Sequence, residues 1–356
     1  MPGEAKLHPA KVSLLHQALC CYTIGMFGKK IDFLAIGDIT TDAFIRIKDA
    51  SVTCDANNEH CSLCMRYADK IPYESVEIIR AVGNAPNAAV SAARLGLSAG
   101  LVSNLGSDQN GKECLERLRE EKINRKLITV HKRKATNYHY VLWYEADRTI
   151  LIKHEEYPYS LPAIVAPRWI YLSSLGNTTL PYHDKLSDYL EKNPDVMLAF
   201  QPGTFQLHLG AKRLERLYRR SEVFVCNKEE AQKILLNQSE DFKTLLSGIA
   251  SLGPALTLIT DGPKGAYFHD RKNFYFMPPY PDPKPPYERT GAGDAFASTF
   301  VSALALRKTP LEALLWAPTN SMSVVQQVGA QKGLLRENEI RDLIKRAPEN
   351  FKPQIL

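Results

Sequence analysis

The residues best suited to chemistry lie in ERTGAGDAFASTFVSALAL, Glu288 to Leu306. Its small residues permit a tight turn, and the apolar run after Asp294 begins a buried helix. Gly291, Ala292 and Gly293 then present backbone N–H groups at a helix N-terminus, where the dipole adds positive potential. That is an anion hole. Asp294 sits in the first turn and, with an ordinary aspartate pKa of roughly 3.9, is ionised at neutral pH. It can accept a proton from a hydroxyl attacking phosphorus. The plainer reading is that Asp294 only favours the helix start electrostatically. A dinucleotide fingerprint fits poorly, because Phe296 stands where the third glycine belongs and a proline-rich segment precedes the turn instead of a strand.

Other stretches offer complementary groups. Asn227-Lys-Glu-Glu230 follows the apolar run VFVC and opens a helical pattern. It reads either as an Asn-led capping box or as a site that places Glu230 near the water shell of a nucleotide-bound magnesium. Thr260-Asp-Gly262-Pro-Lys-Gly265 ends another apolar run with glycines that allow close backbone approach to phosphates, or forms an ordinary turn. Near the other end, Asp42 in GDITTD and the amides of Gly83-Asn84-Ala-Pro-Asn87 suit vicinal hydroxyls, which want paired acceptors and donors, though either could cap a helix. Gly106 to Lys112 matches GxxxxGK, but Glu113 replaces the Ser or Thr that a phosphate-binding loop needs, so a plain strand-to-helix turn is expected.

These groups need a scaffold. Short β-rich apolar runs recur at Phe33–Gly37, Leu101–Leu105, Tyr140–Tyr144, Trp169–Ser173, Val196–Phe200, Val223–Cys226 and Leu256–Thr260. From the third quarter onward they alternate with helical patterns such as Ala211 to Arg220, where Leu214, Leu217 and Tyr218 share one face. Strand-helix alternation predicts a parallel sheet covered on both sides, with ligands at the carboxyl ends of its strands. Two segments break the rhythm, about 44–76 and 138–154; the second reads as an antiparallel hairpin around Ala146-Asp147-Arg148. Together they form a small layer over the main sheet. Pro278 to Pro286 is a stiff connector.

The chain has 356 residues, 44% hydrophobic and 24% charged, as expected of an enzyme-sized globule. Its formal net charge of +6 comes without a long basic run, so small anions are better ligands for it than nucleic acid. No apolar window is long enough to span a bilayer. Met26 opens MFGKKIDFLAIG, a natural start before a first strand; residues 1–30 read as an extension, with 1–25 dispensable, and 31–356 as the working domain. Seven cysteines disfavour a disulfide framework and suit a reducing cytoplasm. Cys54, Cys61 and Cys64, with His60 adjacent, have a spacing open to a zinc knot or to free thiols.

With these residues in view, the chain resembles the ribokinase-like (PfkB) carbohydrate kinases from about Ile31 to Gly333. TGAGDAF at Thr290 to Phe296 matches the family's C-terminal signature. GxxxxD ending at Asp42, GNxxN at Gly83 to Asn87, ARLG at Ala93 to Gly96, GxDxxG at Gly106 to Gly111, NxxE at Asn227 to Glu230 and TxGxxG at Thr260 to Gly265 follow in family order.

The resemblance implies a three-layer α/β/α, Rossmann-like fold with a small β-sheet lid, and transfer of the γ-phosphoryl of ATP to a hydroxyl of a sugar or sugar acid. A nucleoside or a phosphosugar is the alternative acceptor: Tyr138, Tyr140 and Trp143 could wall a base, and Arg46, Lys48 or Arg148 could meet a second phosphate. A catalytically silent ligand sensor is the reading from another class. By the same resemblance Asp294 is the base beside the Gly291, Ala292 and Gly293 hole. Asp42, Gly83, Asn84 and Asn87 hold the acceptor. Asn227, Thr260, Gly262 and Gly265 hold the nucleotide, Asn320 the adenine edge, and Glu230 magnesium through water. A cytoplasmic enzyme is implied, pairing with a second copy through the lid.

Two departures stand out. Val82 fills the place of a glycine before Gly83, which narrows the acceptor pocket. Glu288-Arg289 replaces the Asp-Thr or Asp-Ser of relatives, where the aspartate helps hold potassium; Arg289 is expected to substitute for that ion.

Overall fold

The computed structural model describes residues 30–55, 61–145 and 147–356. The proposed extension, apart from Lys30, and His60 lie outside them. The first half contains β1 (Phe33–Ile36), β2 (Thr40–Ile47), β3 (Ser51–Cys54), β4 (Cys61–Cys64), β5 (Tyr73–Val82), α1 (Asn84–Arg94), β6 (Ala99–Gly106), α2 (Gln109–Glu120), β7 (Ile128–His131), β8 (Tyr138–Tyr144), β9 (Asp147–Leu151) and β10 (Trp169–Leu172). There follow α3 (Leu180–Lys192), β11 (Met197–Phe200), α4 (Thr204–Leu209), α5 (Glu215–Arg220), β12 (Ser221–Asn227), α6 (Lys228–Leu235), α7 (Phe242–Ser251) and β13 (Leu256–Thr260). Last come β14 (Ala266–His269), β15 (Phe274–Met277), α8 (Ala292–Ala305), α9 (Pro310–Val324), α10 (Glu337–Lys345) and β16 (Gln354–Ile355).

The main sheet runs β16-β15-β14-β13-β12-β11-β10-β1-β6-β7. From β13 to β7 every pairing is parallel. Strands such as FLAI and WIYL are buried at every position, which is what a parallel strand covered on both faces requires. Phe33, Tyr171, Phe268 and Phe300 pack on one face, beneath α1, α8 and α9; Ile36, Phe200, Phe224 and Leu245 pack on the other. Each such side chain contributes roughly 1.5–3 kcal/mol by leaving water. The outcome is three layers, as expected from sequence.

The registers set the strand ends side by side. Ile36 lies beside Leu172, Leu172 beside Phe200, Phe200 beside Phe224, and Asn227 beside Thr260. The last residues of those strands and the first beyond them therefore share one edge of the sheet, and Asp38, Gln201, Asn227 and Thr260 lie along it.

A second sheet, β5-β2-β8-β9, makes the lid, with β8 and β9 paired antiparallel as the hairpin reading expects. Phe44, Val141 and Trp143 face inward and pack with Val328 of the main domain. Tyr138 and Tyr140 alternate with His139, so their touching rings lie on the opposite, outer face. The lid is thus anchored by its apolar underside.

Three expectations need correction. The helix expected over Ala211 to Arg220 is confined to Glu215–Arg220; Ala211 to Leu214 instead form a turn in which the Leu214 N–H donates to Ala211 three residues back. The sheet is not parallel throughout, because β14 and β15 form an antiparallel hairpin, its turn held by Asp270 accepting from the N–H groups of Lys272 and Asn273. Cys54 and Cys61 are joined as a disulfide across the β3–β4 hairpin. That removes two of the three thiolates a zinc knot needs, and Cys64 is exposed beside Thr53. Among the described residues no group of three His, Cys, Asp or Glu is placed to hold a metal.

Candidate active site

Gly291 caps α8 with φ 80° and ψ 1°. A Cβ there would come within 2.2 Å of the Ala330 Cβ and 2.5 Å of its Cα, so the turn needs glycine both for its backbone angle and for its neighbour. The first N–H groups of α8 have no carbonyl one turn back within the helix. Ala292 and Gly293 line a cleft of about 720 Å³, within the range of small-ligand sites.

Asp294 lies in that first turn. The Asn84 side-chain amide donates to Oδ1 at 2.7 Å, that of Asn87 to Oδ2 at 2.8 Å, and Gln201 to Oδ1 at 3.5 Å. Burial pushes the Asp294 carboxyl above the ordinary aspartate value; the three amide donors oppose that rise and the nearby Asp42 charge adds to it. The net shift moves a weak base toward working pH. Asn87 is aimed by its other end, since its Oδ1 accepts from Gln331 at 3.1 Å. Gly83 precedes this helix at φ 113°, with Asp38 O only 2.8 Å from any added Cβ. The two asparagines expected at the acceptor thus hold the Asp294 carboxylate.

Gln201 escaped the sequence reading. Its Oε1 accepts from Tyr171, whose hydroxyl proton is held tightly, first by burial and then by the charge of Asp294. The available signal was position, because Gln201 is the first polar residue after a buried parallel strand.

Across from Asp294, Asp42 is buried, and its Oδ1 lies 3.3 Å from His139 Nδ1 without a hydrogen bond. Asp38 accepts from the Tyr159 hydroxyl at 2.7 Å and has His154 Nδ1 3.6 Å away. The two imidazoles stand 5.1 Å apart. His139 on β8 and His154 just beyond β9 were not foreseen, as nothing local in their sequence marks them. Two of the basic residues proposed for a second phosphate are paired, Arg46 lying 3.3 Å and Lys48 3.7 Å from Glu74; the third, Arg148, faces Glu288 at 3.6 Å without a hydrogen bond from its Nε. Trp143 packs edge-on against Tyr287 under Arg46, and Val82 is buried at the end of β5 opposite Thr40.

Asn227, Thr260, Gly262 and Gly265, the residues expected to hold the nucleotide, line the cleft together with Ala292 and Gly293. Met277, Tyr280, Met322 and Val325 give it an apolar end that the sequence reading missed. Asn320 does not reach it. This side chain is fully buried, donating to Thr299 Oγ1 at 2.7 Å and accepting from the Leu335 N–H at 2.8 Å. Both ends of the amide are used in the core, so an adenine contact is ruled out. Asn320→Ala is expected to cost about 1–3 kcal/mol in unfolding and to leave the KM for ATP unchanged; a raised KM at unchanged stability would restore the adenine role.

Asn227 and Glu230 form the capping box, Asn227 Oδ1 accepting from the Glu230 N–H at 2.8 Å and Glu230 Oε2 from the Asn227 N–H at 2.9 Å. Burial raises the Glu230 carboxyl, the Asn227 N–H opposes that, and the Asp294 charge adds to it. Glu230 thus lies close enough to Asp294 for their charges to interact, and a carboxylate there suits a hydrated divalent ion.

Glu288 is 2% exposed, its Oε1 accepting from the Thr290 N–H at 2.8 Å and from Thr290 Oγ1 at 2.5 Å, and its Oε2 from the Gly329 N–H at 3.4 Å. The cation beside it is Arg148, at 3.6 Å, and not the exposed Arg289 that the sequence suggested. The Arg148 guanidinium supplies positive charge at the carboxylate where the sequence reading considered a monovalent ion.

The pfkB family carbohydrate kinase model matches residues 68–337, and the chain belongs to that family. It is a phosphotransferase acting on a sugar hydroxyl. It is 23% identical to the ribokinase of Bacillus subtilis over 268 residues, 74% of this chain and 87% of that one. With the fructokinase of Salmonella typhimurium it shares 25% over 284 residues, 74% of this chain and 89% of the other. The structure of Arabidopsis thaliana ribokinase complexed with ribose and ATP superposes with a TM-score of 0.72 at 17% identity, covering 89% of this chain and 99% of that one.

Proposed function

We propose that the chain transfers the γ-phosphoryl group of ATP to a hydroxyl of an uncharged sugar, with Asp294 as general base. The observation that carries this is the arrangement of Asp294, gripped by Asn84 and Asn87, in the first turn of the helix whose N-terminus opens on the nucleotide cleft. The acceptor oxygen attacks the γ-phosphorus, the bond from that phosphorus to the β–γ bridging oxygen breaks, and ADP departs with the bond's electron pair. The acceptor proton passes to Asp294. Asn84 and Asn87 keep the carboxylate aimed, while the Gly291 to Gly293 turn offers N–H donors to the charge on the transferring oxygens. Glu230 would hold magnesium through water, and the ion would supply neutralisation of phosphate charge.

The acceptor is argued from charge. Asp42 has His139 beside it, Asp38 has His154 and the Tyr159 hydroxyl, and Arg46 and Lys48 are paired to Glu74. A hydroxyl satisfies the unpartnered Asp42 Oδ1, whereas an acid or phosphate group on the acceptor would meet the charges of Asp38 and Asp42. Tyr138 and Tyr140 on the lid's outer face and Trp143 packed against Tyr287 provide no wall for a base. ADP release over matched neutral sugars, sugar acids and sugar phosphates tests the reading. Neutral sugars are expected to give the highest kcat/KM, and a preferred sugar phosphate would overturn the acceptor assignment.

A further inference from the structure

Arg148 is the second residue of β9, opposite Trp143 on the lid. Its side chain is 27% exposed, yet its Nε is enclosed and makes no hydrogen bond. A guanidinium carries five N–H donors in a planar fork, and enclosing them without acceptors is costly. Among the described residues Arg148 donates none of them to protein. It is held by charge instead, 3.6 Å from the buried Glu288, which is itself fixed by Thr290 and Gly329. The same guanidinium borders the cleft beside Ala292 and Gly293, at the head of the phosphate-facing helix. An anchored cation with unspent donors at the rim of an anion hole calls for an oxyanion that approaches from the cleft.

Resting on the kinase reading above, we propose that Arg148 is a catalytic residue: carried in by the lid and anchored by Glu288, it donates hydrogen bonds to the γ-phosphoryl oxygens of ATP. Its permanent charge stands where a monovalent cation would otherwise sit beside Glu288. Charge neutralisation at the transferring group then depends on the lid being down, so empty enzyme with the lid raised lacks part of its phosphate site. A lysine would retain the charge and lose the planar fork.

Binding and turnover test this separately. Calorimetric titration of the wild type, Arg148→Ala and Arg148→Lys with a non-hydrolysable ATP analogue and with ADP reads the γ-phosphoryl contact without catalysis. The alanine variant is expected to bind the analogue at least about tenfold more weakly, a charge-assisted interaction lost, while its affinity for ADP changes less than about threefold. Retained ADP binding also shows that the variant is folded. Turnover should fall by about 10²- to 10³-fold in Arg148→Ala, the scale of a lost oxyanion donor, and rise again on adding free guanidinium at millimolar concentration. Replacing sodium by potassium at constant ionic strength should leave the wild type unchanged. Equal weakening of ADP and analogue, unchanged binding of both, or strong potassium activation of the wild type would each overturn the proposal. A wild type that binds the analogue better than ADP through Arg148 but phosphorylates no acceptor would instead sink the kinase reading.

Discussion

Asp294→Asn is expected to lower kcat by about 10²- to 10⁴-fold, the usual worth of a general base, with the KM values for ATP and acceptor little changed. The substitution keeps the shape and removes the proton acceptor. Its new NH2 group would face the amide of Asn84 or Asn87; Asn87 is pinned through Gln331, so Asn84 is the one that turns over. Because burial raises the Asp294 carboxyl, the wild-type rate should climb with pH through a value above the ordinary aspartate range, and the variant should lose that limb. The same shift favours the protonated form in the fold. This group therefore stabilises the protein below the ordinary aspartate value and loses that contribution as pH rises through its raised one. Steady-state kinetics against pH decide the matter; an Asn variant with more than half the wild-type kcat would remove Asp294 from the mechanism.

The second large effect belongs to the turn. Gly291→Ala places a methyl against Ala330 in a left-handed conformation, and the loop must move. A loss of about 10²-fold or more in kcat is expected, together with a lower Tm, since the hole's donors shift with the backbone. Gly293→Ala is the informative contrast: nothing lies within 4 Å of its added Cβ, which projects into open space. That variant should keep the wild-type Tm while its KM for ATP rises. If the two behaved alike in thermal melts and kinetics, the separate roles given to these glycines would be wrong.

Much of this was legible in the residues, and the reasons are local. The buried runs of β1, β10 and β12 announce a two-sided sheet by composition alone. The small residues at Gly291 to Gly293 announce a backbone that must be bare. Asn227 and Glu230 sit three apart and cap their helix in the way that spacing allows, while Asp108 accepting from the Gly111 N–H at 2.9 Å shows the GxxxxGK match to be an ordinary helix start. What stayed hidden depends on distant partners. His139 meets Asp42 only because β8 lies parallel to β2, and Arg148 reaches Glu288 only because the lid folds over the main sheet. Arg289, next to Glu288 in sequence, was the natural guess and is exposed. Asn320 shows the converse error, since a polar residue in an apolar helix can be there to satisfy the Leu335 backbone and touch no ligand at all. The Cys54–Cys61 pairing depends on the register of a two-stranded hairpin, which a count of cysteines does not reveal.

The central claim is phosphoryl transfer to a hydroxyl assisted by Asp294, and phosphorus NMR of the reaction mixture tests it most directly. With ATP, magnesium and the best neutral sugar from the panel, the wild type should yield one new phosphomonoester resonance growing in step with ADP. Asp294→Asn under the same conditions should yield neither. Wild-type production of ADP and inorganic phosphate without a phosphomonoester, or the same phosphomonoester formed at an undiminished rate by the Asn variant, would contradict the account.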